Sequence, residues 1–464
     1  MRTHPSRVLL LLLAVPCLAA CGGDDEKEPP CDPAAGTGCA PGLVCERVSD
    51  GGSMCAEPVV LRGGVFDLED DAAVAGARVV AFDVNGAPLS SVATSGEDGA
   101  WALAVPHERA PDGTPVPLRL TLRADAAGYQ TFPGGIRTAL PIDTTGAVAK
   151  GGELVIESAV TRIGLIALPD GAGTGSISGT VALPAGKPGV LVVAEKDGVG
   201  VSGVADRDGH YRIFNLDAGA YTVTGYTRGS SFETARVDVA ADADTAADLA
   251  RSDARTGSIA GKVSIVNPGD GTATSIVLVV ESLFDEATLR GESPPGLRAP
   301  NPGVRPDVTG AFRIDGVPPG RYVVLASFEN DALVRDPDIT IGGTQIVHQA
   351  VAPGQDVVLA ETFKVTGAVQ FLPPLGLEPL AVSAAPTIAW ADDSSEDAYE
   401  LSVYDAFGNV VWTHDEPGHS GSNPAVPYAG PLEPGMYYQA KVRSLKRGTP
   451  ISQSEDLAGI FFVP

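Results

Sequence analysis

A chain of 464 residues with 56 glycines, 38 prolines and 6 % aromatics is punctuated for short strands rather than helices. The length suggests roughly three to five domains. Its 58 acidic against 32 basic side chains give a formal net charge of −26, which argues against nucleic acid and anionic lipid as partners, because holding phosphates needs clustered Lys or Arg. The charge reads instead as solubility and self-repulsion at an exposed surface.

The chain begins with Arg2 and Arg7 around a short apolar run, Val8 to Val15, which is too short to span a bilayer as a helix. Leu18-Ala19-Ala20-Cys21 closes that run, with small side chains beside the expected scissile bond. This resembles the lipobox of bacterial lipoproteins. The resemblance implies a signal peptide over 1–20, acylation of Cys21, export, and the membrane as a partner through a lipid anchor. Each buried methylene of such an anchor adds about 0.8 kcal/mol of membrane affinity. Gly22 stands where an aspartate would imply retention at the inner membrane, so the outer membrane is expected, at its periplasmic face or on the cell surface. Asp24, Asp25, Glu26, Glu28 and Pro29-Pro30 then read as a solvated tether. No later apolar segment approaches membrane-spanning length.

Cys17 lies in the leader, and the remaining cysteines, Cys31, Cys39, Cys45 and Cys55, are crowded into one short stretch. A segment this small cannot bury a useful core, so disulfides are expected to replace it. Four cysteines allow three pairings. Zinc is the rival, but its sites usually show a closer cysteine pair than these gaps provide. Cys39-Ala-Pro-Gly-Leu-Val-Cys45 resembles small secreted cysteine-rich modules with interlocked bridges, which implies Cys31–Cys45 and Cys39–Cys55. Tether and cystine module together span 21–57.

Gly175-Ser-Ile-Ser-Gly179-Thr-Val181 and Gly257-Ser-Ile-Ala-Gly261-Lys-Val263 are near copies, each followed by an apolar run, Val190–Ala194 and Ile276–Val280. A second signature then recurs. It is Asp208-Gly209-His-Tyr211-Arg-Ile213 with Leu216, Gly219, Tyr221 and Val223, and Thr309-Gly310-Ala-Phe312-Arg-Ile314 with Val317, Gly320, Tyr322 and Val324. A weaker first copy carries Asp98-Gly99-Ala-Trp101-Ala-Leu103, with strands expected at Leu61–Phe66 and Ala77–Phe82. The Asp-Gly or Thr-Gly pair makes a tight turn, and the following aromatic and aliphatic positions alternate onto one face of a strand. A turn signal every 8–12 residues is the rhythm of a β-sandwich.

This pattern resembles the carboxypeptidase regulatory-like domain, a transthyretin-like seven-stranded sandwich related to the B-type repeats of surface adhesins. The resemblance covers 58–166, 172–250 and 256–364, and implies non-catalytic scaffolds, stalks or binding units. The third copy departs at Asp307 and Thr309 and carries a Pro-rich insertion from Ser293 to Pro306, the loop freest to carry function. Adhesin relatives often hold a Lys–Asn isopeptide bond. Lys262 and Asn330 are the residues to consider for one, but an edge-strand lysine facing solvent is the expectation.

Residues 367–464 have a different texture. Pro386-Thr-Ile-Ala-Trp390 reads as a strand with a core tryptophan, Ala398–Tyr404 alternates, and Gly408-Asn409 turns into Val410-Val-Trp412. Leu432-Glu-Pro-Gly435-Met-Tyr-Tyr438-Gln-Ala-Lys-Val442 resembles the corresponding segment of fibronectin type III domains, which implies that the Tyr438 hydroxyl bonds back to the preceding corner.

Motifs for chemistry are weak. Gly198-Val-Gly200-Val-Ser-Gly203 fits a dinucleotide fingerprint in letters, but no helix follows to present its N–H groups to a pyrophosphate. Gly418-His-Ser420-Gly lacks the context of a nucleophile elbow. His414 and His419 flank Asp415 and Glu416, a metal-binding set of residue types, but with no rigid spacing a solvated loop is expected. Acidic groups at Asp67, Glu69, Asp70 and Asp71, at Asp242 and Asp244, and at Asp392, Asp393, Glu396 and Asp397 read as solvated turns rather than calcium loops. The expectation is therefore an all-β chain of tandem immunoglobulin-like or transthyretin-like sandwiches behind a disulfide-rich segment. It is expected to act not as an enzyme but as an extended string of modules for binding, adhesion or scaffolding. No cofactor and no metal site are expected. The partner beyond the membrane is expected to be a protein or polysaccharide ligand at the cell surface, or an envelope complex.

Overall fold

The computed structural model describes residues 31–33, 36–83, 88–135, 137–169, 171–183, 189–266, 274–286, 291–300, 308, 310–328, 346–366, 368–392, 396–419, 421–455 and 457–464. Cys21 and the leader lie outside them, as do Asp307, Thr309, Asn330, Asp393 and Ser420. The fold is all-β, with three short 3₁₀ turns among the described residues. No described helix is long and apolar enough to cross a membrane.

The cystine module is a hairpin, Val44–Arg47 against Ser53–Ala56, with Cys45 directly opposite Cys55. Bridges Cys31–Cys45 and Cys39–Cys55 interlock, so each strand of the hairpin is tied to a different part of the preceding loop.

Four sandwiches follow. In the first, Val59–Asp67 pairs in parallel with Glu153–Ile156 and Arg162–Leu165 and antiparallel with Ala100–Val105. The facing sheet runs Ala93–Thr94, Arg78–Asp83, Arg119–Asp125, Ile142–Asp143. Leu61, Val79, Trp101, Leu120 and Ile163 fill the space between. The opening strands are slightly longer than or offset from the sequence expectation, because pairing continues past the apolar run.

The second and third sandwiches share one topology. A three-stranded sheet holds the glycine-rich opening strand in its centre: His210–Leu216, Gly175–Thr180, Asp244–Ala246 in the second, and Ala311–Val317, Gly257–Val266, Asp356–Thr366 in the third. A four-stranded sheet covers it: Val199–Ala205, Val190–Lys196, Gly219–Tyr226, Ala235–Val239, and correspondingly Arg298–Ala299, Thr274–Val280, Gly320–Phe328, Val347–Val351. The signature aromatics Tyr211, Tyr221, Phe312 and Tyr322 are buried, as strand alternation requires.

The fourth sandwich sets Phe371–Leu372, Thr387–Trp390 and Ala425–Pro427 against Leu380–Ala381, Ile460–Phe462, Tyr437–Lys446, Ala398–Asp405 and Val410–Pro417. Trp390 is fully buried and meets Tyr399 edge-on at 5.3 Å. The Tyr438 hydroxyl accepts the Glu433 N–H at 2.9 Å, tying the strand to its own corner.

The modules are not strung out in a line. Ala406 and Ile460 of the fourth sandwich pack into the core of the first. The string doubles back because apolar side chains at the ends of these two sandwiches remove each other from water.

Candidate functional sites at the module junctions and the C-terminal edge

Four buried arginine or asparagine contacts fix how the modules meet. At the first junction, the Arg109 guanidinium, 1 % exposed, pairs with the Glu46 carboxylate of the cystine module. It also donates to the Glu57 carbonyl at 2.6 Å and the Gly113 carbonyl at 3.2 Å. Glu46 accepts the His107 N–H at 2.8 Å as well. Burial pushes the Glu46 carboxyl up, against the His107 N–H and Arg109, which hold it down. His107 Nδ1 donates to the Val105 carbonyl at 2.8 Å, and its buried Nε2 has no hydrogen-bond partner. Burial holds that imidazole below its ordinary value, and Arg109 adds to the effect.

At the second junction, three sandwiches converge on Arg123. Its guanidinium holds Asp125 at 2.9 and 3.0 Å, the Ser202 hydroxyl at 3.1 Å and Glu292 at 2.5 Å. Burial alone would depress the guanidinium, but Asp125 and Glu292 outweigh it and raise it above its ordinary value. Arg123 also donates to the Ser202 carbonyl and Arg78 to the Val204 carbonyl, both at 3.3 Å. Ser202 and Val204 lie on Val199–Ala205, the outer strand of its sheet. The first sandwich thus covers with guanidinium groups an edge that would otherwise present unpaired carbonyls.

The third junction is repeated. Asn215 and Gly316 occupy equivalent positions before the buried Leu216 and Val317, and both are left-handed, with φ of 64° and 74°. The Asn215 side chain accepts the Gly128 N–H at 2.6 Å and donates to the carbonyls of Ala126 and Tyr129 at 3.0 and 2.8 Å. The Gly316 carbonyl accepts the Gly229 N–H at 2.7 Å. Gly128 and Gly229 each stand three residues past the strand that precedes them. One kink in each sandwich therefore meets the same turn of the sandwich before it. Asn tolerates the left-handed region because its short amide bonds locally, whereas glycine needs no such compensation.

At the fourth junction, Arg137 donates to the Phe407 carbonyl at 2.6 and 3.1 Å and to the Gly164 carbonyl at 2.5 Å. Phe66 and Phe407 meet edge to face at 5.4 Å. Burial lowers the Arg137 guanidinium to about 10, opposed by Asp405.

Along the outer strand Val410–Pro417, His414 Nε2 lies 3.0 Å from one Glu416 oxygen, and His419 Nε2 lies 2.8 Å from the other. These two imidazoles hold the Glu416 carboxyl below the ordinary carboxylate range, His419 foremost. The set is a strand and its exit turn, not the solvated loop expected from the sequence.

Other residues singled out from the sequence have structural partners. Asp67 and Asp70 accept the N–H groups of Glu69 and Ala72, as turn residues do. Asp244 accepts the hydroxyls of Ser176 and Ser178 and pairs with Arg212. Asp392 accepts the Tyr399 hydroxyl and Asp397 the Arg447 N–H. Gly198, Gly200 and Gly203 lie in a hairpin, with Val199–Ala205 entering an Asp206–Gly209 turn. Lys262 is exposed on its strand. The junction arginines were not singled out from the sequence. The alternation of Arg119-Leu-Thr-Leu-Arg123-Ala-Asp125, which sets charges on one face opposite core residues, was the signal available for Arg123.

No protein-family model matches the chain, and no curated protein matches it. Among solved structures, the chain is similar to the TIE protein of Bacillus anthracis at 13 % identity, covering 92 % of this chain and 70 % of that one with a TM-score of 0.16. It is similar to BcpA, the major pilin subunit of Bacillus cereus, at 10 % identity over 67 % of this chain and 99 % of that one, with a TM-score of 0.17. A streptococcal ancillary pilin gives 12 % identity, 66 % and 99 % coverage and a TM-score of 0.16. Scores of this size carry no argument about function.

Proposed function

We propose that the chain is a non-enzymatic lipoprotein of the outer membrane, acylated at Cys21, whose modules over 58–166, 172–250, 256–364 and 367–464 form a scaffold for adhesion or ligand display. What supports the scaffold is the set of locked junctions, above all Arg123, through which three sandwiches share one buried cluster. A display scaffold has to hold its far modules at a fixed place relative to its anchor. Junctions of buried, multiply bonded guanidinium groups provide that, since loosening one leaves a buried charge or carbonyl unpaired. Ten residues separate Cys21 from Cys31, a reach of at most about 35 Å when fully extended. The sandwiches would therefore stay close to the membrane.

The test is protease shaving of intact cells with mass spectrometry of the N-terminal peptide. The expected result is loss of the sandwiches while an acylated Cys21 peptide stays with the membrane. Protection until the outer membrane is opened would overturn surface display in favour of a periplasmic role in an envelope complex. An unmodified Cys21 would overturn the anchor.

A further inference from the structure

We propose that His414, Glu416 and His419 form a binding site for one divalent transition-metal ion of the zinc class. The strand Val410–Pro417 pairs with Ala398–Asp405 so that Trp412, His414 and Glu416 stand opposite Val403, Leu401 and Tyr399. Those three partners are fully buried, and residues directly opposite on paired strands share a face. His414 and Glu416 thus project on the inner face of the sandwich, at its outermost strand, where the core opens to water. That rim is a place for apolar or amphipathic side chains such as Trp412. Two imidazoles and a carboxylate converge there instead.

The convergence is specific. The side chains of His414, Glu416 and His419 are 38 %, 21 % and 28 % exposed, so they are partly sheltered yet reachable. The Nε2 atom of each imidazole, rather than Nδ1, is turned to the same carboxylate, one to each oxygen. His419 is oriented from behind, its Nδ1 lying 3.4 Å from the Ser422 hydroxyl. The His414 ring lies parallel to that of Trp412, 5.7 Å between centroids. Fixing the far side of an imidazole so that the near nitrogen is aimed is how metal-binding histidines are held. Two imidazole nitrogens and one carboxylate oxygen are a common zinc donor set, leaving the fourth tetrahedral position to water. In the ion-free arrangement each Nε2 has its own oxygen. On binding, the ion replaces both hydrogen bonds, the ring protons reside on Nδ1, and the two imidazoles draw together about the carboxylate. Pro417-Gly418, which carries the chain round to His419, is the link that adjusts. Asp415 alternates to the opposite face and takes no part.

The experiment is calorimetric titration of the whole mature chain with zinc, repeated with cobalt to read the visible bands of a tetrahedral ion. The expected result is one equivalent bound, weakened about tenfold or more by each of His414→Ala, His419→Ala and Glu416→Gln. His210→Ala should leave it unchanged, although Asp206, Asp208 and His210 also lie together on an exposed turn. Zinc that does not bind, that binds undiminished in the His419→Ala chain, or that is lost with His210→Ala overturns the site. His419 follows the strand rather than pairing within it, so its variant keeps the test valid should His414→Ala not fold.

Discussion

The Arg137 guanidinium of the first sandwich donates to the main-chain carbonyl of Phe407 in the fourth, 270 positions away, at 2.6 Å. It holds Gly164 of its own sandwich with the same nitrogen, and is itself 4 % exposed. This one side chain closes the array. Arg137→Ala leaves two buried carbonyls without donors, a cost of about 2–4 kcal/mol. Calorimetry should show the fourth sandwich melting separately from the first in the variant. An unchanged melting profile would count against the clasp. Arg137→Lys should not rescue it, because an ammonium lacks the planar fork that reaches both carbonyls.

Glu292→Gln tests the three-way junction. Arg123 keeps Asp125 but loses its second carboxylate, and the Ser202 hydroxyl loses its acceptor of full charge. Glu292 is one-third exposed, so the loss is discounted for solvent screening to about 1–2 kcal/mol. Urea unfolding of the variant should show a lowered midpoint. Asp125→Asn, wholly inside the first sandwich, should cost more, since that side chain is better buried.

Reduction should act locally. Each bridge closes a loop of about fifteen residues, worth about 3 kcal/mol in the chain-entropy account. Treatment with a thiol should open 31–57 to limited proteolysis and leave the sandwiches resistant, because they contain no cysteine. Cleavage spreading at the same rate into 58–166 would show instead that the first sandwich depends on the staples.

The cystine-module junction should weaken in acid. His107 is held below its ordinary value of 6.5 by burial, so near and below that pH the unfolded chain takes up a proton that the folded one resists. Stability from this group is complete above about pH 6.5 and declines as pH falls towards the depressed folded value. Glu46, pushed up by burial, has the opposite sign, so the comparison with His107→Gln isolates the imidazole. Stability measured between pH 7 and 5 should fall less in that variant than in the parent chain. Equal slopes would mean that the imidazole is solvated.

Much of each sandwich was legible in the chain. The alternation around Tyr211, Ile213, Phe312 and Ile314 marks strands because a pleat has a period of two, and all four side chains are buried. Gly209 turns with a positive φ, as its Asp-Gly signature requires. Trp390 and Tyr438 are core residues for the same local reason. The histidine–carboxylate cluster was legible only as a set of residue types, since aiming His419 at Glu416 depends on the turn after Pro417 and on Ser422.

By itself, then, the sequence determined the β class, the repeat and the crowding of cysteines, because period, turn chemistry and loop closure act over a few residues. Only the tertiary structure decided that Arg109 meets Glu46, that Arg123 gathers Ser202 and Glu292, and that Arg137 reaches Phe407. Those pairings join residues far apart in the chain. An arginine on a strand reads the same whether it faces water or a neighbouring module, and what distinguishes the two is the burial that appears when whole sandwiches pack.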